Sequence, residues 1–271
     1  MPNHDNIRFP CLMKKIPLLG IALDAVTISE AVEQARRGGL ILAPSGPGLC
    51  DLTFDAGYCA ALRHADLNLP DSGLAILLMR LLGMGSLPRT SGLGFLEALL
   101  ELPDTRASGA CFWVMPSHES MERNLAWLRT RGMSVSEADC HIAPFYPKCG
   151  QVRDKPLLQT LCGRRPCYIF LCTGSGTQEK LGHWLVQSLP YRPAVCCIGA
   201  AIGFLSGDQT RIPSWADRLC LGWFLRCLSN PRKFLPRYAK ATRLIWLILR
   251  YRGSAPPMCI SGKTAKEQRA F

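Results

Sequence analysis

Apolar and polar positions along the chain follow two periods. Uninterrupted apolar runs of four to six residues, Leu40–Ala43, Cys111–Met115, Cys167–Cys172 and Ala194–Ile198, read as strands buried on both faces. Ile16–Leu23 reads as a further strand and Asp66–Leu69 as a short extended stretch. Helical spacing fills the intervals. Thr27-x-x-Glu30 is a capping box that opens a helix ended by Gly38-Gly39. Leu52–His64 and Gly92–Leu102 are helical, and Asp71-Ser72-Gly73 opens an apolar helix that runs through Leu82. Ser117–Arg131 is a helix stopped by Gly132, and Leu157–Cys162 and Thr177–Leu189 are the next two. Pro44–Gly48 is too rich in glycine and proline for regular structure, and Ser134–Ile142 is mixed. Strand and helix alternate, which predicts an α/β chain with a parallel sheet covered on both faces. Such sheets bind ligands beyond the carboxyl ends of their strands. The loops to watch are therefore 43–48, 70–73, 116–118, 173–178 and 199–207.

Charge divides the chain differently. The net charge is +12 over 271 residues. Residues 211–252 carry ten basic side chains against Asp217 alone, three quarters of the total. Apolar residues and tryptophans lie among them, at Trp223-Phe224-Leu225 and Leu244–Leu249. Arginines interleaved with tryptophans suit a helical segment resting on a membrane surface; the alternative is solvated charges over a packed core. The expected organisation is an α/β domain over 1–210, a basic helical appendage over 211–252, and a disordered tail over 253–271. No run is long and apolar enough to predict a spanning helix, and the first ten residues lack the apolar core of a signal peptide. A cytoplasmic protein, peripheral on the inner face of the plasma membrane, is expected. Fourteen cysteines form no CxxC pair and fall mostly inside apolar runs, which reads as buried reduced thiols.

Candidate chemistry clusters in the watched loops. Gly174-Ser175-Gly176 precedes a helix, and a glycine-bearing helix N-terminus suits an anion, although the spacing is neither GxGxxG nor a Walker loop. Ser175-x-x-Gln178 fits a helix N-cap, and the amide of Gln178 suits the edge of a nucleobase. Asp71 reads either as a helix N-cap or as a general base facing the cleft. Arg89 reads as a phosphate contact or a surface ion pair. Ser45 has no His–Asp arrangement to activate it. His118-Glu119 lacks the second histidine of a zinc motif, and no DxD pair is present to hold a metal on a nucleotide diphosphate.

Several segments, taken in order, resemble one family. They are Ala65–Gly73 with Pro88-Arg89-Thr90-Ser91-Gly92, then Gly176-Thr177-Gln178-Glu179-Lys180, then Ile198–Gly207. Arg211–Trp215, Leu221–Arg226 and Pro231-Arg232 with Arg237-Tyr238 follow. Together they resemble the WecG/TagA/CpsF glycosyltransferases over roughly residues 16–250. The resemblance implies a Rossmann-like parallel-sheet domain with a C-terminal basic helical appendage. It implies inverting, metal-independent transfer of an N-acetylhexosamine-type sugar, without a cofactor, from a UDP-sugar donor to a polyprenyl-diphosphate-linked acceptor. The setting implied is surface polysaccharide synthesis at the cytoplasmic membrane; nucleic acid is not an expected partner, and a homo-oligomer stays open. Asp71 matches the family's catalytic base. Ser45, Ser72, Arg89, Gln178 and Gly199 fall at substrate-contacting positions, and Arg211, Arg226, Arg232 and Arg237 at diphosphate or lipid contacts. The chain departs from the family pattern at Ala43 and Ser45, where a threonine and an asparagine are usual. It departs again at Gly203 and Gly222, where carboxylates are usual. A non-catalytic scaffold in a polysaccharide assembly complex is the competing reading.

Overall fold

The computed structural model describes residues 14–148, 150–199, 201–208 and 242–258. Two strands, β1 (Lys15–Leu18) and β2 (Ile21–Asp24), open the chain as an antiparallel hairpin. A single strand over Ile16–Leu23 is therefore corrected. Leu19 and Gly20 both take positive φ, 52° and 78°, and reverse the chain within two residues. The helix α1 (Ile28–Arg36) follows with its Thr27–Glu30 capping box formed. The strand β3 (Gly39–Leu42) is followed by a short helix, α2 (Gly46–Leu49). The stretch expected to be irregular thus contains one helical turn, started by the Ser45 side chain, which accepts from Gly48 N. Where one helix was expected over Leu52–His64, a 3-10 turn precedes α3 (Ala56–Arg63), because Asp55 caps α3 through Tyr58 N at 3.0 Å.

The remaining elements are β4 (Leu67–Asn68), α4 (Gly73–Leu81), α5 (Gly92–Leu100), β5 (Cys111–Met115) and α6 (His118–Thr130). Then come β6 (Cys140–Ile142), α7 (Lys155–Arg164), β7 (Tyr168–Leu171), α8 (Thr177–Ser188), β8 (Ala194–Cys197) and α9 (Ala201–Ser206). Six strands form one parallel sheet in the order β4-β3-β8-β7-β5-β6. This is the Rossmann-like α/β architecture.

Period-two alternation sorts the strand residues onto two faces. Leu40, Leu42, Phe112, Val114, Ile169, Leu171, Val195 and Cys197 pack toward α3, α4, α7 and α8. Ile41, Trp113, Met115, Phe170 and Cys196 pack toward α1, α5, α6 and α9, with the Trp113 and Phe170 rings stacked at 4.1 Å. The cysteines among the described residues are free thiols, most of them buried. Burial pushes Cys111 and Cys172 up to about 12, so they serve as small core hydrophobes rather than nucleophiles.

Residues 242–251 are helical, and Leu244, Leu247 and Ile248 enter the same apolar cluster as β3, β7 and β8. This helix is thus part of the α/β unit. Beyond it the chain docks on the hairpin: Leu19 N donates to Arg252 O at 2.8 Å, and Gly20 N to Gly253 O at 3.1 Å. A side chain at Gly20 would collide with Ala255. No helix among the described residues is long and apolar enough to cross a membrane.

Candidate active site

The loops after β3, β4, β7 and β8 meet at the carboxyl rim of the sheet. Asp71 stands in the short loop after β4, three residues beyond its last residue. Its backbone N–H returns to Leu69 O at 2.8 Å, and its Oδ1 accepts from Gly92 N at 3.0 Å. Arg89 Nε donates to Asp71 O at 3.2 Å, and Thr90 N donates to Pro70 O at 3.3 Å. The segment 88–92 is thus zipped along 69–71, which brings Asp71 and Arg89 together. The N-cap of α4 is Ser72, whose Oγ accepts from Ala75 N at 3.3 Å. That assignment removes capping of α4 as the reason for Asp71. The half-buried Asp71 carboxyl is pinned by Gly92 at the N-terminus of α5. Close packing fixes that terminus: a Cβ on Gly92 would lie 3.0 Å from Ala43 Cβ, beyond β3, and 3.9 Å from Ile198 Cβ, beyond β8.

Two glycines of α2 make room for a ring of hydroxyls. A Cβ on Gly48 would fall 2.5 Å from Ser175 Oγ, 2.8 Å from Tyr58 Oη and 3.2 Å from Ser45 Oγ. A Cβ on Gly46 would fall 2.9 Å from Ser72 Oγ and 3.5 Å from Leu244 Cδ2. Ser45, Ser72, Ser175 and Tyr58 therefore converge on one helical turn, with helix 242–251 alongside. Ser45 and Ser72 each spend a lone pair capping a helix and keep a hydroxyl proton to donate. Tyr58 Oη is buried beside Ser175, and Thr173 Oγ1, just beyond β7, is buried without a hydrogen-bond partner. A buried hydroxyl left unpaired near a strand rim, as at Thr173, marks a place where a water or ligand is needed. Sequence reasoning passed over Tyr58 and Thr173. Tyr58 sits inside α3, outside the loops after the strands, and only the approach of Gly48 reveals it.

The Gln178 side chain is buried. Its Oε1 accepts from Gly199 N at 3.1 Å and its Nε2 donates to Glu179 Oε1 at 3.1 Å. Gly199 holds a positive φ of 62°. Gly176, not Ser175, is the N-cap of α8, and Ser175 makes no side-chain cap there. The cap is supplied from the other direction: Glu179 Oε2 accepts from Gly176 N at 2.6 Å. Glu179 has no solvent exposure. Burial raises its carboxyl to about 7, against hydrogen bonds from Gln178 and Gly176 and the charge of Lys180. Lys180 is itself buried, with Nζ 2.7 Å from both Asp55 Oδ2 and Lys148 O. Arg211, Arg226, Arg232 and Arg237, together with Gly222, lie outside the described residues.

Comparison with known proteins adds to this geometry. The sequence profile of the glycosyl transferase WecG/TagA/CpsF family matches residues 16–256. The chain belongs to the WecG/TagA/CpsF family. One similar relative is an N-acetylglucosaminyldiphosphoundecaprenol N-acetyl-beta-D-mannosaminyltransferase of Bacillus spizizenii. It is 25% identical over 196 residues, covering 68% of this chain and 70% of the relative. A protein of the same description from Bacillus subtilis is 32% identical over 96 residues, 33% of this chain and 37% of the relative. As a WecG/TagA/CpsF member the chain is a glycosyltransferase. Its matched segments fall on the rim just described, with Asp71 and Arg89 on one pair of loops and Gln178 and Gly199 on another.

Proposed function

We propose that the chain is an inverting hexosyltransferase that carries an N-acetylhexosamine from a UDP-sugar to a polyprenyl-diphosphate-linked acceptor in surface polysaccharide synthesis. N-acetylmannosamine is the sugar named in the relatives' reaction, and an N-acetylglucosamine-bearing diphosphoundecaprenol their acceptor. The observation that carries the reading is the Asp71 carboxyl. It is anchored at the sheet rim by Gly92 N while Ser72 takes over the helix cap. A fixed carboxylate of that kind takes the proton from an acceptor hydroxyl as the hydroxyl oxygen attacks the anomeric carbon from the face opposite the leaving UDP. The hydroxyl donors of Ser45 and Ser72 are disposed to receive the nucleotide sugar. The arginines at 211, 226, 232 and 237 supply positive charge for diphosphate and for anionic lipid, so the enzyme works peripherally on a membrane. The transfer is proposed to need neither metal nor cofactor.

The test is an assay of released UDP with purified protein, UDP-N-acetylmannosamine and a short-chain polyprenyl-diphosphate N-acetylglucosamine. Asp71→Asn should keep the fold and lose transfer by roughly 10²–10⁴-fold in kcat. Full activity in that variant would remove the role. The same assay in EDTA reads the metal-independent part. A second reading draws on Ala43, Ser45 and Gly203, where the family's usual polar groups are missing. On that reading the chain is a non-catalytic scaffold, and no nucleoside diphosphate would shift its melting temperature.

A further inference from the structure

The loops after β7 and β8 are joined by side chains rather than by sheet hydrogen bonds, and every joint has a fixed polarity. Gly199 N–H can only donate, and it donates to Gln178 Oε1. Once ionised, above about pH 7, the Glu179 carboxylate can only accept. It accepts on separate oxygens, Oε1 from Gln178 Nε2 and Oε2 from Gly176 N. The two fixed ends leave Gln178 one orientation of its amide. With the amide turned over, Nε2 would face the Gly199 N–H and Oε1 would face a carboxylate oxygen. Neither side chain has solvent to fall back on, since Gln178 is 2% exposed and Glu179 is 0% exposed.

We propose that Glu179 is a positioning residue: its carboxylate sets the amide polarity of Gln178 and thereby clips the Gly176 and Gly199 loops together at the floor of the donor site. An ordinary capping role would involve Gly176 alone and would leave Gly199 indifferent to residue 179. The clip makes a sharper demand. In Glu179→Gln the new side chain offers one acceptor and one donor where two acceptors are required. Either the amide oxygen turns to Gln178 and Gly176 N–H loses its partner, or it stays with Gly176 and Gln178 must turn over, abandoning Gly199 N–H. Exchanging the two residues, Gln178→Glu with Glu179→Gln, restores the pattern. The amide oxygen now at position 179 receives Gly176 N–H, and the amide nitrogen there donates to the carboxylate now at position 178. That carboxylate in turn receives Gly199 N–H.

The experiment measures amide hydrogen exchange at Gly176 and Gly199 in the full chain, at a pH above about 7 where Glu179 is ionised, for wild type, Glu179→Gln and the exchanged pair. One of the two amides should exchange roughly tenfold faster in Glu179→Gln, and both should return to within about threefold of wild type in the exchanged pair. The kinetic consequence rests on the glycosyl-transfer reading: donor KM rises in the single variant with kcat less affected, and recovers in the pair. Unchanged protection in Glu179→Gln overturns the clip. So does an exchanged pair no better than the single variant, or a failure of both variants to fold, which would make the carboxylate's place and not its acceptor pattern the requirement. Amide protection that follows the proposal while wild type transfers no sugar would leave the clip standing and sink the transferase reading alone.

Discussion

Single residues carry the chemistry, and several acquire their meaning from a neighbour. Asp71 and Ser72 both qualify as caps by residue type, and a sequence cannot divide the two roles. The backbone turn at 69–72 assigns the cap to Ser72 and gives Asp71 to Gly92. Glu179 reads along the chain as one more acidic residue in a first turn. Its burial turns it into a titrating group near neutrality, raised from 4.5 to about 7. The groups facing it are Lys180 and Gln178 on its own helix, Tyr58 from α3 and Cys197 from β8. The folded protein keeps this proton where the unfolded chain has released it. The contribution of Glu179 to stability is therefore complete below pH 4.5 and is lost as pH rises through about 7. Glu179→Gln does not titrate, so wild type should lose melting temperature relative to that variant between those two pH values. A difference that stays flat across the window would show the carboxyl to be unshifted.

At the scale of elements, local signals were legible where a cap or a run of period-two apolar residues acted alone. The strands β3, β5, β7 and β8 and the helices α1, α6 and α8 lie where pattern and caps predict them, within a residue or two. Two local structures escaped, and one expected helix was read without its packing, because their determinants lie outside the pattern. The β1–β2 reversal depends on Leu19 tolerating a left-handed backbone, which the docking of 252–253 supports. The turn α2 depends on two glycines that allow Ser72 and Ser175 to close in. Helix 242–251 reads as part of a basic appendage, yet it buries Leu244, Leu247 and Ile248 while exposing Trp246 and Leu249. Truncating a leucine in such a packed face removes transfer energy and leaves a cavity. Leu247→Ala should cost about 2–5 kcal/mol of unfolding free energy, measured by denaturant titration. Loss of less than about half a kcal/mol would mean that the helix is not part of the core. It also follows that deleting everything from residue 211 onward would strip the core, so the basic segment is better probed by point substitutions.

At the scale of the whole molecule, the uneven charge is the property to test. Nine of the twelve net positive charges fall in 211–252. Replacing Arg226, Arg232 and Arg237 by serine should weaken binding to anionic vesicles by about 1 kcal/mol per charge, with little change in melting temperature. Wild-type binding should fall as salt shortens the Debye length below about 8 Å. Sedimentation with vesicles of mixed neutral and anionic lipid reads both effects, and salt-independent binding would point to apolar insertion instead.

The amino-acid sequence by itself determined the alternation of strand and helix, and with it a parallel sheet, because the period of apolar residues is a local property of the chain. It also determined the family, through motifs spread in order from Asp71 to Arg237. The tertiary structure decided the strand order β4-β3-β8-β7-β5-β6, the meeting of Asp71 with Gly92, and the ring of hydroxyls around Gly46 and Gly48. It also decided the bridge from Glu179 through Gln178 to Gly199. Each of these joins residues distant along the chain, and each depends on burial and donor–acceptor polarity that exist only once the sheet has brought its loops to one rim.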